Sequence, residues 1–341
     1  MIDICGYDLL GIDSITGMRY AWGSPRFKKH VESASFINRS KGKREDISGY
    51  TTSVSSGCIL RTMRSSCMFC RTGKLLPFGG YLTYKEIAKQ NVFMVLSDIY
   101  CTDHPELANK QREFAYMGQG EPGFSYIQVR LAIELTNKIM KKLGQKVYRH
   151  VFSTCGVPEA IVNYKKDVRD FFTQKVTMHF SLHATNDRDL IMPINKIYPY
   201  KESIHELSNI VDLTGEKPCV GILLFNHFKP KGTGVDYSNS LNNIKSIINE
   251  LNPEKVRLSF CEYNSSEELG VTEIYPESSI IEIKKLVAGR GFEAKFFSSY
   301  GKEKQSACGM LGGKEPENKP SDKWMELNEL ANDLILNSKK L

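Results

Sequence analysis

The sequence predicts an α/β fold, a partial (β/α)6 barrel with short N-terminal and C-terminal extensions. Short β-rich runs alternate with amphipathic helical stretches from about residue 51 to residue 300, which is typical of parallel strands joined by helical crossovers. There are about six such repeats, fewer than the eight that close a full barrel. Polar and glycine-rich motifs follow the predicted strands, where the active sites of such folds lie.

Each predicted strand is a short run of β-branched, aromatic or other apolar residues. In chain order the runs are TTSVSS, REFAYMG, YRHVFST, VTMHFSLH, CVGILLF, KVRLSF and FEAKFF. Between two of them, YIQVRLAIELTNKIMKKLG places Val129, Ile133, Leu135 and Ile139 at roughly helical spacing and ends in lysines and a glycine. These signals indicate a crossover helix.

The two ends of the chain are expected to form small additions to one main domain. Residues 1–50 contain a segment rich in serine, glycine and charge, which indicates an irregular extension before the first strand. Residues 51–300 are the predicted core barrel, and residues 301–341 a loop followed by a packing helix capped by Ser321. The apolar residues expected on one face of that helix are Trp324, Leu327, Leu330 and Leu334.

Composition restricts the class of protein. The 341 residues carry a formal net charge of +7 and a pI of about 8.8, which favours an anionic partner such as nucleic acid or a phosphorylated substrate. The basic run at residues 41–44 is more often a solvated loop than an RNA contact. Because no stretch approaches the roughly 18 apolar residues of a membrane span and no signal-peptide pattern is found, we expect a cytoplasmic protein without a membrane partner.

Nine cysteines, an odd number, without a secretion signal indicate reduced thiols or metal ligands rather than disulfides. Eight residues separate Cys58 from Cys67 and two separate Cys67 from Cys70, on a predicted loop after the first strand. Three thiolates on one loop suit an iron–sulfur cluster, since three protein ligands leave one iron open to a small molecule. A zinc site with a fourth ligand elsewhere and unpaired core cysteines are the alternatives.

Five motifs carry a resemblance to a known family. VSSGC…CMFCRTG resembles the cluster loop of radical S-adenosylmethionine (SAM) enzymes, in particular the RlmN/Cfr class of adenosine C-methyltransferases. MGQGEP (residues 117–122), STCGV (153–157), SLHATND…IMPIN (181–195) and SACGML (306–311) resemble that class in the same order. Together the motifs cover roughly residues 31–312, and five in sequence make a chance match improbable.

The resemblance implies a barrel of the radical SAM type with two cofactors, a 4Fe-4S cluster and SAM. In such enzymes the open iron chelates SAM, and one electron from the cluster releases a 5'-deoxyadenosyl radical. The implied cluster ligands are Cys58, Cys67 and Cys70. The residues implied to line the SAM pocket are Gly120, Glu121, Ser153, Ser181, Leu182, His183 and Asn264.

The residues themselves support part of this assignment. The glycines of GQGEP allow close backbone approach to a ligand, and Glu121 offers an acceptor for the SAM ammonium group. An ordinary βα turn is the alternative for this motif. His183, taken alone, would more often be a structural histidine.

Two catalytic residues are implied by the resemblance. Cys308 corresponds to the thiol that accepts a methyl group from one SAM, after which a second SAM generates the carbon radical that adds to the base. A cysteine in a glycine-flanked loop near lysines could supply the nucleophilic thiolate, and a buried inert cysteine is the alternative. Glu32 resembles the glutamate that the class places near the substrate base.

Three departures from the class restrict what can be transferred. The class has three residues between its first two cluster cysteines, whereas this chain has eight. Ser53 stands where the class has a second catalytic cysteine, and a hydroxyl is a weaker acid and nucleophile than a thiol. Only 31 residues precede Glu32, so the helical RNA-docking domain of the class is expected to be largely missing. The candidate replacements for the second thiol are Cys101, Cys155 and Cys261.

The leading hypothesis is a radical SAM methyltransferase that transfers a SAM-derived one-carbon unit through Cys308, with adenosine in RNA as the first candidate substrate. A paralogue that acts by radical chemistry on a small molecule, nucleotide or peptide is the second hypothesis. A binding protein with a structural cluster is the third. Either radical enzyme would need a reducing partner such as flavodoxin or ferredoxin.

Overall fold

A ten-stranded mixed sheet forms the centre of the molecule in the computed structural model, which describes residues 7–14, 17–36, 45–263, 266–297, 311–312 and 315–338. In side-by-side order, its strands are β1 (Asp8–Ser14), β2 (Gly17–Gly23), β3 (Val31–Phe36), β4 (Ile47–Thr51), β7 (Gln111–Tyr116), β8 (Val147–Thr154), β9 (Val176–Ser181), β10 (Cys219–Leu224), β12 (Arg257–Glu262) and β14 (Ala294–Phe297). Two short ribbons pair β5 (Ser55–Ser56) with β6 (Gly80–Tyr81) and β11 (Lys229–Pro230) with β13 (Gly270–Val271).

Helical crossovers join the parallel half of the sheet. Each neighbouring pair from β4 to β14 is parallel, and six connections join these strands in the described residues. The helices are α1 (Ile59–Thr62), α2 (Arg71–Leu75), α3 (Tyr84–Ile99), α4 (Tyr126–Lys142), α5 (Pro158–Asp170), α6 (Arg188–Ile191), α7 (Tyr200–Leu207), α8 (Ile210–Thr214), α9 (Leu241–Asn249), α10 (Glu277–Gly289) and α11 (Asp322–Leu336). The predicted α/β fold with six β/α repeats is confirmed, and the described sheet is open, with edges at β1 and β14.

The N-terminal segment differs from the prediction. Strands β1, β2 and β3 pair antiparallel and join the sheet through β4, so the expectation of an irregular segment over residues 1–50 is wrong. The strand predicted over residues 51–56 is also misplaced, because β4 ends at Thr51. The division at residues 50 and 300 stays a prediction, although β4 itself crosses residue 50.

Helices α3 and α11 cover the N-terminal strands. The ring of Phe93 on α3 meets Trp22 of β2 at a centroid distance of 5.2 Å and Trp324 of α11 at 6.0 Å. The predicted packing helix is therefore present. Its buried face consists of Leu327, Ala331, Leu334 and Ile335, whereas Leu330 is 36% exposed.

A second group of buried side chains lies at the carboxyl end of the parallel strands. We call it the carboxyl-end cluster, and it consists of Cys58, Leu60, Phe69, Cys155, Ala184, Ile191, Met192, Ile194, Leu223, Phe225, Phe228, Tyr237, Cys261 and Tyr263. Cys67 and Cys70 pack against it while partly exposed. Residues of three of the five motifs thus meet in one place.

The helices of the described residues are amphipathic rather than uniformly apolar. The longest, α4, has 17 residues, including several lysines, whereas a bilayer crossing needs about 20 predominantly apolar residues. None of these helices meets both requirements.

Candidate active site

The three motif cysteines lie in one loop after β4, and the β5–β6 ribbon joins the two ends of that loop. Cys58 is the residue before α1, and Cys70 is the residue before α2. The backbone N–H of Met68 donates to the carbonyl of Ile191 at 2.8 Å, which ties the loop to α6. The loop is therefore held at both its base and its tip.

Burial and mutual proximity make it costly for the thiols of Cys58 and Cys70 to ionise without a cation. Burial is the largest cause that raises the pKa of Cys58 well above its usual value, and the thiols of Cys70 and Cys67 raise it further. Burial and Cys67 raise the pKa of Cys70 to about 11. Because bound iron stabilises thiolates and so removes this penalty, the donor set fits an iron–sulfur cluster.

No three His, Cys, Asp or Glu side chains among the described residues lie close enough together to hold a single metal ion. A cubane cluster does not require that arrangement, since each thiolate binds a different iron and the sulfur atoms lie farther apart. The observed thiols lie within electrostatic reach of one another without surrounding one point.

The peptide unit of Cys155 connects two other motifs to the cysteine loop. Its N–H donates to Oε2 of Glu121 at 2.9 Å, and Oε1 of Glu121 accepts from the N–H of Gly123 at 2.8 Å. The thiol of Cys155 lies beside Cys67, and their interaction raises the pKa of Cys155 well above its usual value. The carboxylate of Glu121, predicted to receive the SAM ammonium group, therefore already accepts two backbone hydrogen bonds beside the cysteine loop.

Gly120 permits the close approach of the GQGEP loop to β5. Its φ of +101° lies in a region that L-residues rarely adopt. A Cβ added there would lie 2.1 Å from Oγ of Ser55. The packing of the chain itself therefore requires a glycine at this position.

The side chain of Ser153 lies between neighbouring strands. Its Oγ forms a hydrogen bond of 3.1 Å with Nδ1 of His179 on β9. Burial lowers the pKa of His179 to about 4, with a smaller contribution from nearby arginines, so the imidazole is neutral at physiological pH. Sequence reasoning missed His179, because only the strand pairing brings it to Ser153.

The SLH run passes from β9 toward β10. The N–H groups of Leu182 and His183 both donate to the carbonyl of Gly221 at 3.1 Å, and Nδ1 of His183 accepts from the N–H of Leu223 at 3.1 Å. Burial lowers the pKa of His183 well below its usual value. The ring of Phe69, from the cysteine loop, meets this imidazole edge to face at 5.1 Å. The run is thus packed against the cysteine loop, and its place in the SAM pocket stays a prediction.

Glu32 belongs to a buried polar network on β3. The residue is 1% exposed, forms an ion pair with Arg19, and accepts from Nε2 of Gln119 at 3.0 Å. Oγ of Ser53 donates to the backbone carbonyl of Glu32 and accepts from the N–H of Gln119 at 2.7 Å. The structure therefore joins Glu32 and Ser53 to the MGQGEP loop, which supports placing both near the site.

Two predicted site residues, Asn264 and Cys308, lie outside the described residues. Tyr263, the neighbour of Asn264, packs on Phe69 at a centroid distance of 6.4 Å. Leu311, three residues after Cys308, is buried, and its carbonyl accepts from Oγ1 of Thr72 in α2. The chain on the C-terminal side of Cys308 is therefore fixed to the cysteine loop.

Arg188 is a buried residue of the site that sequence reasoning missed. It lies in SLHATNDRDL, at the start of α6, and is 1% exposed. Its guanidinium donates to the carbonyls of Cys155 and Ser181 at 2.8 and 3.1 Å. An arginine among other charged residues looks solvent-exposed in sequence, and no local signal would have indicated its burial.

Comparison with known proteins finds relatives in sequence and in fold. No protein-family model matches it. A "Probable dual-specificity RNA methyltransferase RlmN" of Pseudothermotoga lettingae is 28% identical over 271 residues, which cover 77% of this chain and 69% of that protein. A "Probable dual-specificity RNA methyltransferase RlmN 1" of Protochlamydia amoebophila is 27% identical over 277 residues, which cover 80% and 68%.

The fold is similar to the crystal structure of a radical SAM methyltransferase from Sphaerobacter thermophilus, with a TM-score of 0.71, 20% identity, and coverage of 89% of this chain and 81% of that one. This chain is RlmN-like in sequence and shares its fold with a radical SAM enzyme. It spans about two thirds of the length of the RlmN proteins cited above. Its class implies SAM and a 4Fe-4S cluster as cofactors.

Two of the three further cysteines considered for a second catalytic thiol lie at the site of this RlmN-like enzyme. Cys155 contacts Cys67, and Cys261 is buried in the carboxyl-end cluster. Cys101 lies instead near Tyr20 on β2. The structure therefore favours Cys155 and Cys261 over Cys101.

Proposed function

We propose that this RlmN-like enzyme is a methyltransferase that cleaves SAM reductively at a cluster on Cys58, Cys67 and Cys70, and transfers a SAM-derived one-carbon unit through Cys308. Adenosine in RNA is the first candidate acceptor, because the relatives are named as RNA methyltransferases. When bound, the cluster and SAM supply the one-electron cleavage of the SAM S–C bond.

The observation that carries this proposal is the convergence of separate motifs on the cysteine loop. Glu121 holds the N–H of Cys155, the Cys155 thiol contacts Cys67, and Phe69 packs on His183. Residues that are far apart in sequence thus meet at the carboxyl end of the parallel strands, where barrel enzymes bind their substrates.

The chain's own residues define the environment of the bound groups. The apolar side chains of the carboxyl-end cluster exclude water from the inner side of the loop, which strengthens electrostatic interactions there. His179 and His183 are neutral, so they serve as hydrogen-bonding partners rather than as cations. Glu121 and Ser153 are held by backbone and imidazole contacts and are therefore already oriented.

The position of Leu311 supports a role for Cys308. Three peptide units span at most about 11 Å, and Leu311 is fixed to α2 of the cysteine loop by Thr72. The nearest described residue on the C-terminal side of Cys308 thus contacts the cysteine loop, and this contact supports the role that we propose for Cys308.

The buried state of Ser53 and Glu32 favours a second candidate function, radical chemistry on a small molecule, nucleotide or peptide. The hydroxyl of Ser53 is fully buried and makes two hydrogen bonds to the backbone, so it cannot take the place of a reactive thiol. Glu32 is paired with Arg19 rather than exposed to a large substrate. Such a paralogue could use a reaction that does not require a second catalytic thiol.

The decisive experiment is anaerobic reconstitution of the cluster, followed by reduction with dithionite in the presence of methyl-deuterated SAM. Mass spectrometry then measures 5'-deoxyadenosine and the mass of the Cys308 peptide. We expect both 5'-deoxyadenosine and a labelled one-carbon group on Cys308. An unmodified Cys308 alongside 5'-deoxyadenosine would contradict methyl transfer and favour the second candidate.

Matched cysteine variants separate the assigned roles. Cys67→Ser should abolish cluster assembly and SAM cleavage, and Cys308→Ser should abolish only the label. Cys219→Ser is the control, because Cys219 lies at the start of β10, and both readouts should be unchanged.

A salt-dependent RNA shift assay then distinguishes an RNA substrate from a small molecule, nucleotide or peptide, since RNA binding weakens steeply as salt rises. A reducing partner such as flavodoxin or ferredoxin would replace dithionite in the cell.

A further inference from the structure

Arg188 holds a positive charge in the interior, with only 1% of the residue exposed. Nε donates to the carbonyl of Leu182 at 2.9 Å, and Nη2 donates to the carbonyls of Cys155 at 2.8 Å and Ser181 at 3.1 Å. Nη1 donates to Oδ1 of Asn195 at 3.2 Å. All four acceptors are neutral oxygen atoms, and the described part of the chain places no carboxylate within hydrogen-bond distance of this guanidinium.

A buried charge is strongly disfavoured unless an opposite charge compensates it. Carbonyl oxygens satisfy the N–H groups of Arg188 but leave its net charge in place. The hydrogen bond from Nη2 to the carbonyl of Cys155 places this uncompensated charge on the side of the cysteine loop.

We propose that Arg188 is a positioning residue whose positive charge stabilises the reduced form of the iron–sulfur cluster bound by Cys58, Cys67 and Cys70. The inference rests on the proposed function, because it requires that cluster. Reduction takes one electron from a low-potential donor, dithionite in the test below, and the electron stays on the cluster. The guanidinium neither gains nor loses a proton, and no bond is made or broken.

The physical basis is the interaction of a fixed charge with an added electron in a medium of low dielectric constant. Three thiolates already make the site negative, so a further electron is repelled unless a cation lies nearby. Hydrogen bonds, net charge and burial are the protein's means of setting a cluster potential. Arg188 is buried and donates to the carbonyl of Cys155. The side chain of Cys155 in turn lies beside the cluster ligand Cys67.

The same guanidinium also ties together two loops that we assign to the SAM pocket. Its fork joins the carbonyl of Cys155 to those of Ser181 and Leu182. A lysine could supply the charge but not the planar fork. Arg188→Lys should therefore keep the cluster potential while raising the KM for SAM, which separates the electrostatic role from the structural one.

The test is a redox titration of the reconstituted holoenzyme, followed by electron paramagnetic resonance of the reduced cluster. Asn195→Asp places a carboxylate next to Nη1 at nearly constant volume and compensates the charge of Arg188. We expect the ratio of reduced to oxidised cluster at a fixed potential to fall about tenfold, which for a one-electron couple is 59 mV. Arg188→Gln should shift the potential in the same direction.

Gln145→Glu provides the matched control. Gln145 accepts from Nε and Nη2 of the fully buried Arg112 at 3.1 and 2.7 Å, so the charge change and the contact are of the same kind. The eight residues of β8 lie between Gln145 and Cys155 and span about 26 Å, well beyond a Debye length of about 8 Å. The cluster potential should be unchanged in this variant.

An unchanged potential in Asn195→Asp with full cluster occupancy overturns the proposal, and this variant decides the question even if Arg188→Gln fails to fold. A lowered potential in Arg188→Lys equal to that in Arg188→Gln overturns it as well, because the charge is retained in the first. Failure of the wild-type chain to assemble a cluster would refute the proposed function itself and this inference with it.

Discussion

Ser53 occupies a position that is catalytic in the RlmN/Cfr class but structural in this chain. By the motif match it stands where the RlmN/Cfr class has its second catalytic cysteine. In this chain its Oγ donates to the carbonyl of Glu32 and accepts from the N–H of Gln119. Both partners are buried. The hydroxyl therefore connects β3 to the MGQGEP loop and is not available for chemistry.

Ser53→Ala should destabilise the protein by about 1–3 kcal/mol, because it leaves a buried N–H and a buried carbonyl without their partner. The measurement is urea denaturation of the cluster-free protein. Ser203→Ala is the control, since Ser203 is equally buried and its hydroxyl has no hydrogen-bond partner among the described residues. An equal loss of stability in both variants would contradict the role of these hydrogen bonds.

At the level of elements, α3 supports the strand end that leads into the cysteine loop. The side chain of Gln90 accepts from the N–H of Ser53 at 3.1 Å and donates to its carbonyl at 3.0 Å. The helix begins with a capping box, in which Oγ1 of Thr83 accepts from the N–H of Glu86 at 3.3 Å and the N–H of Thr83 donates to Oε2 of Glu86 at 2.8 Å. The start of α3 thus fixes the far side of the loop.

Thr83→Ala should lower the free energy of unfolding by about 1 kcal/mol, the usual cost of losing an N-cap side chain. Chemical denaturation of the cluster-free protein measures the effect. Ser321→Ala at the start of α11 should change stability far less, because the Ser321 side chain makes no capping hydrogen bond. A similar loss at Ser321 would show that the helix start, and not the hydrogen bond, accounts for the effect.

At the scale of the whole molecule, buried neutral histidines make stability depend on pH. His150 on β8 lies in the core between Tyr116, whose hydroxyl is 3.0 Å from Nδ1, and Asn137, whose Oδ1 is 2.8 Å from Nε2. Burial lowers the pKa of His150 to about 3. The unfolded chain binds a proton near pH 6.5, so below that pH it binds more protons than the folded chain.

The stability contributed by neutral His150 is therefore complete above about pH 6.5 and is lost as pH falls toward about 3, at up to about 1.4 kcal/mol per pH unit. Urea denaturation of the cluster-free protein between pH 7 and pH 4.5 measures the slope. His150→Gln should make the slope shallower. His205→Gln should leave it as in the wild type, because His205 is exposed. Equal slopes in all three proteins would contradict this account.

The amino-acid sequence by itself determined the parallel half of the fold and the identity of the cysteine loop. Strand runs such as VTMHFSLH and the amphipathic helix α4 are recognisable because their periodicity is a local property. The cysteine spacing and the motif order are local as well, and they indicated the RlmN-like class before any contact was known. The sequence did not predict β1 to β3, whose polar and glycine-rich runs become strands by pairing with one another.

Only the tertiary structure decided how the site is built. It placed the carboxylate of Glu32 against Arg19 and Gln119. It also gave the Ser53 hydroxyl two backbone hydrogen-bond partners and buried Arg188 beside the cysteine loop. These relations join residues up to 87 positions apart in the chain. Burial and hydrogen-bond partners depend on which elements meet in space, and the sequence around a charged residue does not contain that information.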